Sequence, residues 1–327
     1  MPYVRFAVIC LVWGASFILM KKAGLALGPI TIAGLRVLAG AAVLGTLLRW
    51  RGAGENVGRR HIWPLLGVAV VGFAIPYTVQ PYLVRMHDSG FIGMSISLVP
   101  LLTLAVAPLM LGVYPSRRQL IGVVGGLFCM LGMFGDGLDR RVPIAHLALA
   151  ASVPLSYALT NTYIRKRFAG VNTLYLSTVI LAMAAAMLLP TALLCERQPW
   201  NNAQSPNLKI PPSHRQVALL ASTAADRVAL PVPAGPSSPW PALAAVMVLG
   251  ILGTGLTTFL FNKLVQEQGP LFAGMTTYIV PIGAMLWGWL DNERVTPLQI
   301  ASLSGILLMV ALVQYKAATP QQRPVES

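Results

Sequence analysis

The amino-acid sequence predicts an all-α integral membrane protein of ten transmembrane helices, arranged as two inverted repeats of five. Three observations carry that prediction. The 327 residues are 56% hydrophobic and only 10% charged, with a mean hydropathy of +0.68, whereas a soluble domain carries about 25% charged residues. Several apolar runs reach the roughly 20 residues that a helix needs to cross a ~30 Å hydrocarbon core. A motif in the first half of the chain returns in the second.

In chain order the spans fall at residues 4–22, 30–50, 62–83, 88–112, 118–136, 143–165, 172–194, 241–264, 270–291 and 297–316. The first lacks a strong basic leader and a small-residue cleavage site, so it reads as a retained helix and not a signal peptide. The gaps between spans alternate sides, and basic residues decide which side is which. With the N-terminus inside, one set comprises Arg5, Arg49, Arg51, Arg59, Arg60, Arg117, Arg118, Arg165, Lys166, Arg167, Lys263, Lys316 and Arg323. The opposite short loops hold Lys21, Lys22, Arg85, Arg140, Arg141 and Arg294, and they share Asp88, Asp136, Asp139, Asp291 and Glu293. That asymmetry places both termini in the cytoplasm by the positive-inside rule. The same clustering accounts for the net charge of +14, so nucleic acid is not an expected partner.

Residues 195–240 stand apart, because this segment is polar and rich in proline. It reads as an irregular insertion on the outer face, with a short amphipathic helix over 213–230 as the alternative. Cys10, Cys129 and Cys195 form neither a CxxC pair nor a metal-ligand spacing. They read as packing residues.

The repeat is visible residue by residue. Gly93-Met94-Ser95-Ile96-Ser97-Leu98-Val99-Pro100 returns as Gly274-Met275-Thr276-Thr277-Tyr278-Ile279-Val280-Pro281. Trp63-Pro64 answers Trp240-Pro241, and Gln119 and Gly125 answer Gln299 and Gly305. Trp13-Gly14-Ala15-Ser16 followed by Lys21-Lys22 parallels Tyr157-Ala158-Leu159-Thr160 followed by Arg165-Lys166. The first repeat thus covers residues 1–141 and the second 142–318, with a cytoplasmic tail at 319–327. Because each repeat holds an odd number of helices, the second enters the membrane from the opposite side, an arrangement common among secondary transporters.

Trp13-Gly14-Ala15-Ser16-Phe17, then Leu35-Arg36, then the two Gly-Met to Val-Pro segments, then Glu293-Arg294-Val295-Thr296-Pro297-Leu298 together resemble the EamA-like families of the drug/metabolite transporter superfamily. The resemblance spans both halves, apart from 195–240. It implies a ten-helix inverted-repeat carrier in a cell (inner) membrane, often exporting amino acids, other metabolites or toxic organic compounds. The chain departs from the pattern in the long outer insertion and in Val113, which stands where the second half has Glu293.

Polar residues at membrane depth nominate the substrate pathway, since an unpaired polar group facing lipid is costly. Trp13, Ser16 and Phe17 share one helical face, as do Tyr77 with Gln80, Tyr157 with Asn161, and Thr258 with Asn262. Arg36 is a charge within an apolar span. Two readings stand for it: a structural arginine bonding carbonyls, or a contact for an anionic substrate group or a gate. Pro100 and Pro281 interrupt their helices at matched positions and supply bends, which brings Met94, Ser97 and Tyr278 into consideration. For each single residue an interhelical hydrogen bond explains the placement. The set, repeated in both halves, points to a cavity. Lys21 and Lys22 read as interfacial anchors.

Gly122 with Gly126 and Ala301 with Gly305 form small-xxx-small faces, read first as internal helix contacts and otherwise as homodimer contacts. No Walker A, HExxH or GxSxG signature is present, and no cofactor or metal is called for. The expected activity is therefore non-enzymatic: alternating access by a secondary carrier for a small organic metabolite. A lipid or lipid-carrier translocase is the alternative, and a membrane-embedded enzyme the remote third. No residue determines direction; export follows from the resemblance alone.

Overall fold

The computed structural model describes residues 2–52, 61–87, 93, 95–135, 143–196, 239–290 and 297–314. Met94, the insertion beyond Glu196 and the tail at 319–327 lie outside them. Among the described residues the chain forms helices α1 (Pro2–Ala23), α2 (Pro29–Trp50), α3 (Ile62–Met86), α4 (Val99–Leu111) and α5 (Arg117–Gly135). It continues with α6 (Ile144–Arg167), α7 (Thr173–Cys195) and α8 (Trp240–Gln268), then α9 in two pieces (Pro270–Gly274 and Thr276–Leu290), then α10 (Pro297–Gln314). By length and composition α1, α2, α3, α7, α8 and α9 can each cross a membrane, while α4 and α10 contain shorter apolar stretches.

The burial pattern is that of a protein solvated by hydrocarbon. Large apolar side chains such as Leu11, Leu109, Phe128 and Leu308 lie on the outside, whereas Arg36, Gln80, Asn161, Thr254 and Asn262 are buried. In water such an outer surface would form an apolar patch far beyond what monomers tolerate.

Local signals set the helix ends. Asn172 Oδ1 accepts from Leu174 N at 2.9 Å and Tyr175 N at 3.3 Å, capping α7 through its first free amides. Gly112 (φ 66°, ψ 14°) takes the left-handed conformation after α4, and Gly269 (φ 92°, ψ 163°) a positive-φ extended one after α8, both open to glycine at no steric cost.

Alternate helix ends meet on two opposite faces. On one, Arg5 at the start of α1 pairs with Glu267 at the end of α8. There Gln266 also donates to Phe168 O (2.7 Å) and Val171 O (3.1 Å), just past α6. On the other, Glu196 at the end of α7 caps α2: its carboxylate accepts from Ile30 N (2.9 Å), Thr31 N (2.8 Å) and Thr31 Oγ1 (2.7 Å). Anionic caps suit the positive end of a helix. Glu196→Ala should lower stability by about 1–2 kcal/mol, read as a drop in the thermal midpoint in detergent.

On the same face His87, just past α3, shares a 2.8 Å hydrogen bond with His146 of α6. Burial, and secondarily His146, push the His87 imidazole below its ordinary 6.5. The folded state therefore favours neutral His87, and this contribution is present above pH 6.5 and lost as pH falls through the depressed value. His87 is only partly buried, so the expected effect is below about 1 kcal/mol. Thermal midpoints at pH 7.5 and 5.5 should differ more in the parent chain than in His87→Gln.

Helix packing repeats with the halves exchanged. α1 packs on α9 as α6 packs on α4, α1 on α8 as α6 on α3, and α2 on α8 as α7 on α3; α2 pairs with α7, and α5 with α10. Where α1 crosses α9, Gly14 and Gly283 lie backbone to backbone: a Cβ on either would sit 2.6 Å from the other's Cα. The small-residue faces serve the interior too. A Cβ on Gly305 of α10 would meet Cys129 Sγ of α5 at 2.6 Å, and one on Gly126 would meet the Tyr278 ring at 3.2 Å.

Candidate functional site

Two helices widen by one residue at corresponding places in the halves. α3 has a π-turn over Val70–Ala74 and α8 one over Ile251–Leu256. Such turns are rare and concentrate at functional sites. In α3 the next residue but one is Pro76, which has no N–H for the carbonyl of Gly72, and Ile75 N bonds Val70 O instead. In α8 the Thr254 hydroxyl donates to Leu249 O at 3.1 Å, inside the widened turn.

Each π-turn presses a glycine against the partner half. A Cβ on Gly72 would lie 2.5 Å from Thr160 Cγ2, and one on Gly253 would lie 3.1 Å from Ser16 Oγ. Ser16 and Thr160 are the pair that the repeat matches. The glycines allow α3 to approach α6 and α8 to approach α1, and Ser16, Gly72 and Thr160 of these contacts also line a cavity.

That cavity has a volume of about 70 Å³, room for about five water molecules. Trp13, Ser16, Phe17 and Met20 of α1 form one wall, and Tyr157, Thr160, Asn161 and Ile164 of α6 face them. α3 contributes Gly72, Phe73, Tyr77 and Gln80, and α8 contributes Thr258, Phe261 and Asn262. Arg36 enters from α2; Ile96, Val99, Thr277 and Val280 complete the lining from the α4 and α9 side.

The polar groups are held in place. Arg36 is 3% exposed, donates from Nε to Thr254 Oγ1 at 3.0 Å, and directs Nη1 to Met20 Sδ at 3.6 Å. Its guanidinium carbon lies 3.9 Å from the centre of the Tyr77 ring, a cation–π contact that strengthens away from water. Gln80 Nε2 donates to Tyr157 Oη at 2.6 Å. Trp13 Nε1 donates to Thr257 Oγ1 at 3.0 Å, and its ring packs on Phe261 at 5.0 Å. Asn262 Nδ2 donates to Ser177 Oγ at 3.0 Å, so part of that amide is committed to α7. The Thr160 hydroxyl is buried without a hydrogen-bond partner among the described residues.

Of the residues nominated from sequence, Trp13, Ser16, Arg36, Tyr77, Gln80, Tyr157, Asn161 and Asn262 come together around this cavity. Tyr278, Pro100 and Pro281 are not among the lining residues. Tyr278 is fully buried, but its hydroxyl donates to Val123 O of α5 at 3.0 Å; the side chain turns away from the cavity to fill the α5–α9 contact. Pro100 sits in the first turn of α4, where its missing N–H costs nothing, because the chain turns at residues 97–98 just before it. Pro281 lies within the second piece of α9, whose break falls earlier, at Met275. The prolines therefore do not mark the two breaks equivalently, although Val99 and Val280 beside them line the cavity. Met94 lies outside the described residues.

Sequence reasoning passed over Thr254 and Thr257, which bind Arg36 and Trp13. The signal was there: Thr254, Thr257, Thr258, Phe261 and Asn262 recur at one-turn spacing along α8.

A chain whose described elements are all helices, with apolar outer faces, several membrane-length helices and a buried cavity lined by both polar and apolar side chains, is a multi-pass membrane protein. A family model described as the EamA-like transporter family matches residues 2–135 and 145–315. The chain belongs to that family and is a membrane transporter of the drug/metabolite superfamily. It is similar to the uncharacterized transporter YoaV of Bacillus subtilis (strain 168), with 22% identity over 329 residues and 97% of each chain covered. It is also similar to the uncharacterized transporter YvbV of the same strain, with 22% identity over 184 residues, covering 56% of this chain and 60% of the relative. A solved crystal structure shares the fold at a TM-score of 0.71 and 18% identity, covering 97% of this chain and 98% of the other.

Proposed function

We propose that the protein is a secondary carrier that moves a small organic metabolite across the cytoplasmic membrane by alternating access, in the direction of export. In this reading the ten helices are two inverted repeats, both termini are cytoplasmic, and the halves rock about the central cavity. The observation that carries it is the cavity's construction. Its walls come from both halves, and the exchanged contacts Gly72 with Thr160 and Gly253 with Ser16 contribute Gly72, Thr160 and Ser16 to its lining; we read the two contacts as its closures. Two equivalent closures flanking one site are what alternating access requires, since loosening one while keeping the other exposes the site to a single side. The small volume fits a state in which both are shut.

One observation favours a second reading, a lipid or lipid-carrier translocase. An apolar groove of about 530 Å³ lined by Trp63, Pro64, Gly67, Val68, Val71, Met110, Leu159 and Tyr163 reaches Thr160, which also lines the central cavity. A headgroup could pass at Thr160 while its chains stay in the groove.

Reconstitution into liposomes separates the two. Labelled amino acids, quaternary ammonium compounds and nucleobases are offered to the parent chain and to Asn161→Ala and Trp13→Ala. Saturable flux of one solute, lost in both folded variants, supports the carrier. Fluorescent lipid analogues crossing while no soluble compound moves would support the translocase instead.

A further inference from the structure

We infer that the cavity selects a small organic monoanion, a carboxylate on an apolar or aromatic body, and that the Arg36 guanidinium receives the carboxylate. This inference rests on the carrier reading and names its substrate class.

The charge balance comes first. Of all the residues lining the cavity, Arg36 alone carries a full charge. On α1, α2, α3, α4, α6, α8 and α9 the one acidic residue is Glu267, and it sits at the end of α8, paired with Arg5 and Lys263. Burying a cation without a counter-ion is strongly unfavourable. The face of Tyr77, the Thr254 hydroxyl and the Met20 thioether offset only part of that. A guanidinium has five N–H donors. One is taken by Thr254 and one by the weak sulfur acceptor, which leaves three without an acceptor among the described residues.

Geometry then specifies what completes the site. A planar fork of donors matches a carboxylate with two parallel hydrogen bonds, which a lysine would not do. Two further donors lie on the facing wall. Tyr157 accepts from Gln80, which leaves its own hydroxyl proton to donate, and Asn161 is buried against the cavity with no hydrogen bond to another described residue. Around them stand Trp13, Phe17, Phe73, Tyr77 and Phe261, rings that suit an apolar body. The uncompensated positive field, acting at low dielectric, opposes organic cations. Amines and quaternary ammonium compounds are therefore excluded even where their shape fits.

The test uses one aromatic body at three charges: phenylacetate, phenylacetamide and phenethylamine, in counterflow into liposomes holding the full chain. Radiolabelled chloride serves as the inorganic anion. The expected result is saturable uptake of phenylacetate, with a kcat/KM above that of phenethylamine by about 30-fold or more, as for a desolvated charge pair. Arg36→Gln should abolish the preference, and Arg36→Lys, which retains charge but not the fork, should keep part of it. Thr254→Val guards against misfolding of the Arg36 variants: it leaves the guanidinium in place while removing the hydroxyl's two hydrogen bonds, to Arg36 and to Leu249 O, should raise KM and should keep the charge order.

Equal or better uptake of the amide or amine overturns the inference and leaves the carrier standing. Chloride moving in place of phenylacetate also overturns it, by assigning Arg36 to an inorganic anion. If none of the three moves while a neutral or cationic solute of the wider panel does, the carrier reading survives and the anion assignment fails. If only lipid analogues cross, both fail together.

Discussion

Gly14→Ala should cost about 3 kcal/mol, the upper range for overpacking a close contact, and should lower the thermal midpoint in detergent by roughly 5 °C or more. The added methyl would meet the Cα of Gly283 at 2.6 Å. That neighbour is main chain and cannot rotate away, so α1 and α9 must separate along their crossing. Separation would also withdraw Trp13 and Ser16 from the cavity, so flux should fall with stability. Gly283→Ala should behave alike, because the contact is reciprocal. Gly67→Ala in α3 is the control: nothing lies within 4 Å of its would-be Cβ, and alanine gains up to about 1 kcal/mol of helix propensity. Equal losses in Gly14→Ala and Gly67→Ala would refute the close crossing.

Gly72→Ala should cost about 2–3 kcal/mol and should be rescued by a second substitution. Its methyl would approach Thr160 Cγ2 to 2.5 Å. The Thr160 hydroxyl has no hydrogen-bond partner among the described residues, so Thr160→Ala relieves the contact without breaking a bond to any of them. The double variant should therefore recover most of the lost stability, a coupling of about 1–2 kcal/mol between touching residues. Gly253→Ala should be milder, since the nearest atoms are at 3.1 Å and one is the end of the Leu249 side chain. Additive losses at Gly72 and Thr160 would remove this contact as a closure of the cavity.

The eight cavity residues named from sequence share one property: each is polar or amphipathic inside an apolar run. Hydrocarbon offers no hydrogen bonds, so such residues must turn inward, and helical spacing then groups Trp13 with Ser16, Tyr77 with Gln80 and Tyr157 with Asn161. The same logic could not assign Tyr278. It too turned inward, but periodicity says only that a face is buried, not against which neighbour, and its neighbour proved to be α5. Pro100 is ambiguous for a related reason, since a proline permits a bend without requiring one at its own position.

The membrane class, the motif that recurs along the chain and the inward faces were legible in the sequence itself, because they follow from composition and spacing under a solvent that punishes unpaired polar groups. Only the tertiary structure decided which faces meet. Arg36 finds Thr254 across 218 positions, and the π-turns in α3 and α8 insert one residue each, rotating everything beyond by about 100°. That rotation sets Gly72 against Thr160 and Gly253 against Ser16. Packing between distant segments, which local periodicity does not encode, sets where the cavity lies and which groups it presents.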